Sequence, residues 1–181
     1  MFYRDDRLAV LIDAANLQNA TKQLPWDIDF KRLREKLANS SVLVRITYYT
    51  ALREDQEFQA IRPLVDWLQY NGYCVRSKPV KTHTNPLTGE VKQKGNMDIE
   101  IAVDALELAN ASNRVDHIIL MTGDGDFIPL IGSLQRQGVR VTVVFPRGIG
   151  IPMLADELRR QADIFIDLED WRESIQKQTR S

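Results

Sequence analysis

The amino-acid sequence predicts an α/β fold, with a central parallel sheet and helices on both of its faces. Three observations lead there. Short continuous apolar runs, the pattern of strands buried on both faces, recur along the chain. Segments with helical spacing separate them, so strand and helix alternate from one end to the other. Crossovers between parallel strands are right-handed, and that hand distributes the helices over both faces.

The elements follow in order. Leu8-Ala9-Val10-Leu11-Ile12 is the first strand and ends at Asp13. A polar loop containing Pro25 follows, and then Ile28, Phe30, Leu33 and Leu37 predict a short helix. Val42 to Tyr49, rich in β-branched and aromatic residues, is the second strand. Ile61, Leu64, Val65 and Leu68 have helical spacing, Gly72 stands where such a helix stops, and Tyr73-Cys74-Val75 is the third strand. Val80 to Thr84 and Glu90 to Lys94 flank Asn85-Pro86-Leu87-Thr88-Gly89, the pattern of a polar hairpin inserted at about 79–95. A helix from Asn96 to Ala111 leads to the fourth strand, His117 to Met121. Phe127 to Gln137 is a helix closed by Gly138, and Val139 to Phe145 is the fifth strand. A helix near Pro152 to Gln161, a short strand Ile164-Phe165-Ile166, a terminal helix around Trp171 and a frayed tail complete the chain. With no internal repeat or low-complexity linker, residues 1–181 read as one domain.

Composition removes several classes of function. Lys plus Arg is 24 and Asp plus Glu is 25, a net charge of −1, which excludes a polybasic protein that coats nucleic acid through bulk charge. The single cysteine, Cys74, excludes an intramolecular disulfide, a Cys-rich zinc site and an iron–sulfur cluster, and its apolar strand predicts a small buried hydrophobe. Asp5 and Asp6 ahead of a short apolar run are unlike a signal peptide, and no apolar stretch approaches the ~20 residues of a membrane span. The expectation is a cytoplasmic protein that uses no membrane; the sequence leaves homo-oligomerisation open. There is no GxGxxG after a strand and no Walker A sequence. His83 and His117 are far apart in sequence, and His117, inside a strand, reads as a satisfied structural histidine.

The acidic residues carry the chemistry. In an open α/β sheet, ligands gather beyond the carboxyl ends of the strands. Asp13 ends the first strand, and Thr122-Gly123-Asp124-Gly125-Asp126-Phe127 follows the fourth, so neighbouring strands would open both into one crevice. Each aspartate alone also suits a strand end or a helix cap. Asp98 adds a third. At about 100° per residue, Glu100, Asp104 and Glu107 form the solvated side of their helix, whereas Asp98 projects with Ile101, Ala102, Ala105 and Ala109. An inward carboxylate needs a partner, and several converging ones need a cation. Oxygen ligands without His or Cys select Mg2+ or Mn2+. Such ions bind phosphate oxygens and activate water, which points to phosphodiester hydrolysis. Asn16 is placed to orient a carboxylate or a bound water, and Asp126 to support the site or cap a helix.

Leu11-Ile12-Asp13-Ala14-Ala15-Asn16, Lys94-Gly95-Asn96-Met97-Asp98-Ile99-Glu100-Ile101-Ala102-Val103-Asp104-Ala105 and Thr122-Gly123-Asp124-Gly125-Asp126-Phe127-Ile128-Pro129-Leu130 together resemble the NYN-domain proteins, a branch of the PIN-like nucleases, and within them the LabA-like group. The resemblance covers about residues 8 to 166. It implies a PIN-like three-layer α/β/α arrangement with a sheet in the order 3-2-1-4-5. It also implies metal-dependent ribonuclease activity, with Asp13, Asp98 and Asp124 as the acidic metal-holding core and Asn16 and Asp126 as supporting residues. Ala14 stands where glycine is common and Thr122 where serine is common; neither departure removes a carboxylate.

A site for RNA is legible in the charge distribution. From Arg76 to Lys94 the chain carries Arg76, Lys78, Lys81, Lys92 and Lys94 against Glu90 alone, a local +4 in a chain that is −5 elsewhere. Arg53 and Arg147 follow the second and fifth strands at the same edge, and of Tyr48 and Tyr49 one faces the core while the other offers a base-stacking surface. The reading is a Mg2+- or Mn2+-dependent ribonuclease. Its alternative is a non-catalytic RNA-binding or regulatory adaptor of the same shape. A phosphatase of the haloacid-dehalogenase type would want an Asp where Ala15 stands.

Overall fold

The structure, a computed structural model, describes residues 2–52, 56–84, 91–94, 96–147 and 156–178, with the backbone alone at 56–60, 81–84 and 91–94. Six strands form one parallel sheet: β1 (Arg7–Asp13), β2 (Val42–Leu52), β3 (Cys74–Pro79), β6 (His117–Met121), β7 (Arg140–Phe145) and β8 (Ile164–Asp167). Their spatial order is β3-β2-β1-β6-β7-β8. Renumbered within the sheet this is 3-2-1-4-5-6, the expected order with the short strand Ile164–Asp167 added at the edge. Between β3 and the next helix, β4 (Lys81–Thr84) and β5 (Val91–Lys94) pair antiparallel, with Lys81 opposite Lys94 and His83 opposite Lys92.

Central β1 shows why the sheet forms. Leu8 through Ile12 are at most 1% exposed, and alternation divides them between two cores. Leu8, Val10 and Ile12 join α1 (Ala14–Thr21), α2 (Phe30–Ser40) and α7 (Arg172–Ile175) on one face. Ala9 and Leu11 join α4 (Asp98–Asn110), α5 (Ile128–Arg136) and α6 (Asp156–Gln161) on the other. Each fully buried Leu or Ile contributes about 1.5–3 kcal/mol, so this five-residue run anchors both layers. α3 (Gln56–Tyr70) places Leu64 and Leu68 against the first core. It ends near Gly72, at φ +82°, where an added Cβ would lie 2.9 Å from the Arg34 guanidinium.

The segment after Asp13 differs from its expected polar loop. It is α1, because the Asp13 side chain caps it by accepting from the Asn16 N–H and because Ala14, Leu17 and Ala20 turn inward. Its apolar positions are sparse enough to hide among Asn, Gln and Thr. The helix expected from Phe127 begins instead as a 3-10 turn, Gly125–Phe127, capped by Asp124. The part of the helix near Pro152 that precedes Asp156 lies outside the described residues.

Candidate metal centre

The site lies at the carboxyl edge of the sheet, where β1 and β6 run side by side with Ile12 opposite Met121. The next residues, Asp13 and Thr122, therefore meet: the Thr122 hydroxyl donates to Asp13 Oδ2 at 3.2 Å and accepts from the Asp124 N–H at 3.2 Å. Asn16 Oδ1 accepts from the Gly123 N–H at 3.0 Å, tying the start of α1 to the same loop. Asp124 in turn accepts from the Asp126 N–H at 3.0 Å. Asp13 and Asp124 thus cap α1 and the 3-10 turn, whereas Asp126 lies inside that turn and caps no helix.

Asp98 arrives from the other side as the first residue of α4. Asn96 does not cap that helix backbone; its amide donates to Asp98 Oδ2 at 2.5 Å. One carboxylate oxygen each of Asp98, Asp124 and Asp126 lie within 4.8 Å of one another. Asp13 stands beside this trio, its oxygens taken by the Asn16 N–H and the Thr122 hydroxyl.

Crowding of like charge shows in the acids. Burial, followed by the charges of Asp124, Asp13 and Asp126, pushes the Asp98 carboxyl up to about 6, and Lys78 offsets only part of this. Burial raises Asp13 as well, against the Asn16 and Thr122 hydrogen bonds, and Asp124 adds to the rise. A cation between these groups would relieve the repulsion.

Three of the basic residues face acids. Lys78 is paired with Glu100, both carboxylate oxygens at 2.9 Å, and Arg76 reaches Asp104 at 3.2 Å. Arg147 sits 3.5 Å from Asp167. Lys81, Lys92 and Lys94 are placed by backbone alone on β4 and β5, and Arg53 lies outside the described residues. Glu100 and Asp104 are consequently held against the sheet, and of the three acids assigned to a solvated helix side only Glu107 is exposed. No tyrosine stacking surface exists at Tyr48 and Tyr49, which are 1% and 0% exposed because adjacent strand residues enter opposite cores. Cys74 is half-buried rather than buried, since β3 is an edge strand.

Three residues escaped the sequence reading: Thr122 as the bridge between strands, Asn96 as the partner of Asp98, and Asp104 as an inward acid. Only Asn96, two residues before Asp98, carried a local signal.

With this geometry in view, residues 7–169 match the NYN domain. The chain belongs to the NYN domain family. That family allies it with the PIN-like nucleases. This NYN protein is 36% identical over 99% of its length to the "Low amplitude and bright protein LabA" of Synechococcus elongatus, covering 93% of that protein. It is 26% identical over 77% of its length to an uncharacterised protein of Methanocaldococcus jannaschii, and spans about half of that relative, 48%. A crystal structure of a protein of unknown function from Vibrio parahaemolyticus shares the fold, with a TM-score of 0.75 and 23% identity over 98% of this chain and 99% of that one. Among the described residues no helix is long and apolar enough to cross a membrane.

Proposed function

We propose that this NYN domain is a metal-dependent ribonuclease that hydrolyses RNA phosphodiester bonds. The observation that carries the reading is the convergence of Asp98, Asp124 and Asp126 within 4.8 Å beside Asp13, at the edge where parallel sheets bind ligands. The donors fit Mg2+ or Mn2+: all are carboxylates, and no His or Cys joins them among the described residues. Asp13, Asp98 and Asp124 are the proposed ligands, with Asp126 at the rim. When bound, the ion supplies charge neutralisation at phosphate and a more acidic water.

The chain's own residues do the rest. Thr122 and the Asn16 N–H fix the Asp13 carboxylate, and Asn16 Oδ1 holds the Gly123 backbone so that Asp124 faces the crevice. Lys81, Lys92 and Lys94, on the paired strands that precede α4, are the proposed phosphate contacts. Lys78, Arg147 and Arg53 belong to the same proposed set. Lys78 and Arg147 each face an acid, so any contact they make with RNA competes with Glu100 or Asp167.

Purified protein is expected to cut single-stranded RNA with Mn2+ and to stop when the metal is chelated. Salt-sensitive RNA binding without cleavage at saturating Mg2+ and Mn2+ would instead mark a non-catalytic adaptor.

A further inference from the structure

Asp98 and Asp13 belong to different elements, a helix and a strand. Their separation therefore depends on how α4 is seated on the sheet. Besides its apolar face in the second core and the Lys78–Glu100 pair, one row of residues across the sheet contributes to that seating. Asp13 on β1 is the register partner of Tyr49 on β2, and Tyr49 is the register partner of Arg76 on β3. The last two both hold Asp104 of α4. The Tyr49 hydroxyl donates to Asp104 Oδ2 at 2.8 Å, and Arg76 donates through Nε to Oδ2 and through Nη2 to Oδ1, each at 3.2 Å.

The character of these groups suits a clamp. Tyr49 is 0% exposed, and burial together with the Asp104 carboxylate holds its hydroxyl protonated as a donor. The Asp104 side chain is 17% exposed, an acid largely out of water with two side chains aimed at it as donors. Asp104 lies six residues along α4 from Asp98, about 9 Å of helix. A rigid helix carries a shift at one position to the other. Charge-assisted bonds from two strands are stronger than a contact from one, and they restrain rotation as well as distance.

We infer that Asp104 is a positioning residue for the metal centre: clamped by Tyr49 and Arg76, it sets the place at which Asp98 meets Asp124 and Asp13. The inference rests on the metal-binding part of the proposed function and extends it to residues that touch no ion. Groups bonded directly to a ligand commonly change metal affinity by 10–100-fold, and a clamp acting along the helix is expected at the lower end of that range.

The test is Mn2+ binding to the full chain, read by electron paramagnetic resonance of the free ion, alongside Tm in chelator. Tyr49→Phe removes one hydroxyl and leaves the ring in its core; Asp104→Ala removes the whole clamp; Asp104→Asn keeps a carbonyl for the Tyr49 hydroxyl. The expected order of Mn2+ affinity is wild type, then Asp104→Asn, then Asp104→Ala. Tyr49→Phe is expected to weaken binding about tenfold, the lower end of that range, while remaining folded at the assay temperature. Folded Tyr49→Phe and Asp104→Asn proteins that bind Mn2+ within twofold of wild type would overturn the clamp. If wild type binds Mn2+, the variants bind it more weakly and no form cuts RNA, the clamp stands and the nuclease reading falls. Wild-type protein that binds no Mn2+ overturns both.

Discussion

Asp98→Asn is expected to remove Mn2+-dependent RNA cleavage, by about a hundredfold or more, while making the metal-free protein more stable. The loss follows from the carboxylate's place in the trio with Asp124 and Asp126. An ion worth several kcal/mol at the transition state, lost at a tenfold in rate per ~1.4 kcal/mol, gives at least this factor. The gain follows from the opposite side of the same crowding. The Asp98 carboxyl is raised to about 6 in the folded chain. A raised acid stabilises the fold below its unfolded value near 4 and withdraws that stability as pH rises through about 6. At neutral pH the metal-free protein bears the whole penalty. Discounted for the solvent that reaches a half-buried side chain, it is about 1–2 kcal/mol. Urea titration in chelator should show Asp98→Asn more stable by that amount at neutral pH, with the difference vanishing below about pH 4. Added Mn2+ should stabilise wild type and leave the variant unmoved. A variant less stable than wild type in chelator, or one that still cuts RNA within tenfold of wild type, contradicts this.

The second large effect lies at the opposite end of the sheet. His117 opens β6 and is 0% exposed. Its Nε2 is 2.7 Å from the Thr142 hydroxyl, but its Nδ1 has no hydrogen-bond partner and lies 3.8 Å from Asp6 Oδ2, to which Arg140 donates at 2.6 Å. The histidine expected to be fully satisfied is satisfied on one side. Burial, with the charge of Arg140, lowers its pKa to about 4, against the pull of Asp6 and Asp163. A depressed histidine stabilises the fold above its unfolded pKa near 6.5, and that contribution is lost as pH falls toward about 4. The full span is roughly 3 kcal/mol. Stability measured in urea over this range should fall steeply on acidification. His117→Gln, which keeps a hydrogen-bonding group for Thr142 and does not titrate, should flatten that fall even though it weakens packing at neutral pH. An unchanged slope in the variant would show that other groups drive the acid response.

Sequence and structure agree most where local pattern decides the outcome. Leu8–Ile12 and Ile118–Met121 are uninterrupted apolar runs, and both lie in central strands with every residue of the run buried. Asp13, Asp98 and Asp124 were legible as a group because each ends or begins an element, so topology alone brings them near. Helical angles placed Asp98 inward. The same angles placed Asp104 outward, and there they misled: α4 lies beside the open faces of β2 and β3, whose Tyr49 and Arg76 reach its flank. That flank is neither core nor solvent, and periodicity has only those two categories. The basic stretch shows the same limit, since a count of charges along the chain does not show that Lys78 and Arg76 pair with Glu100 and Asp104 of α4. Helix α1 was missed because its stability comes from the Asp13 cap and three small or apolar contacts, not from a long stripe.

The central claim is that these carboxylates hold a divalent cation at the β1–β6 edge, and crystals soaked in Mn2+ test it most directly. The expected result is an anomalous peak in contact with Asp98 and Asp124, on the side facing Asp13. Saturating Mn2+ that leaves the crevice without a peak, or an ion held only by other residues, would contradict it.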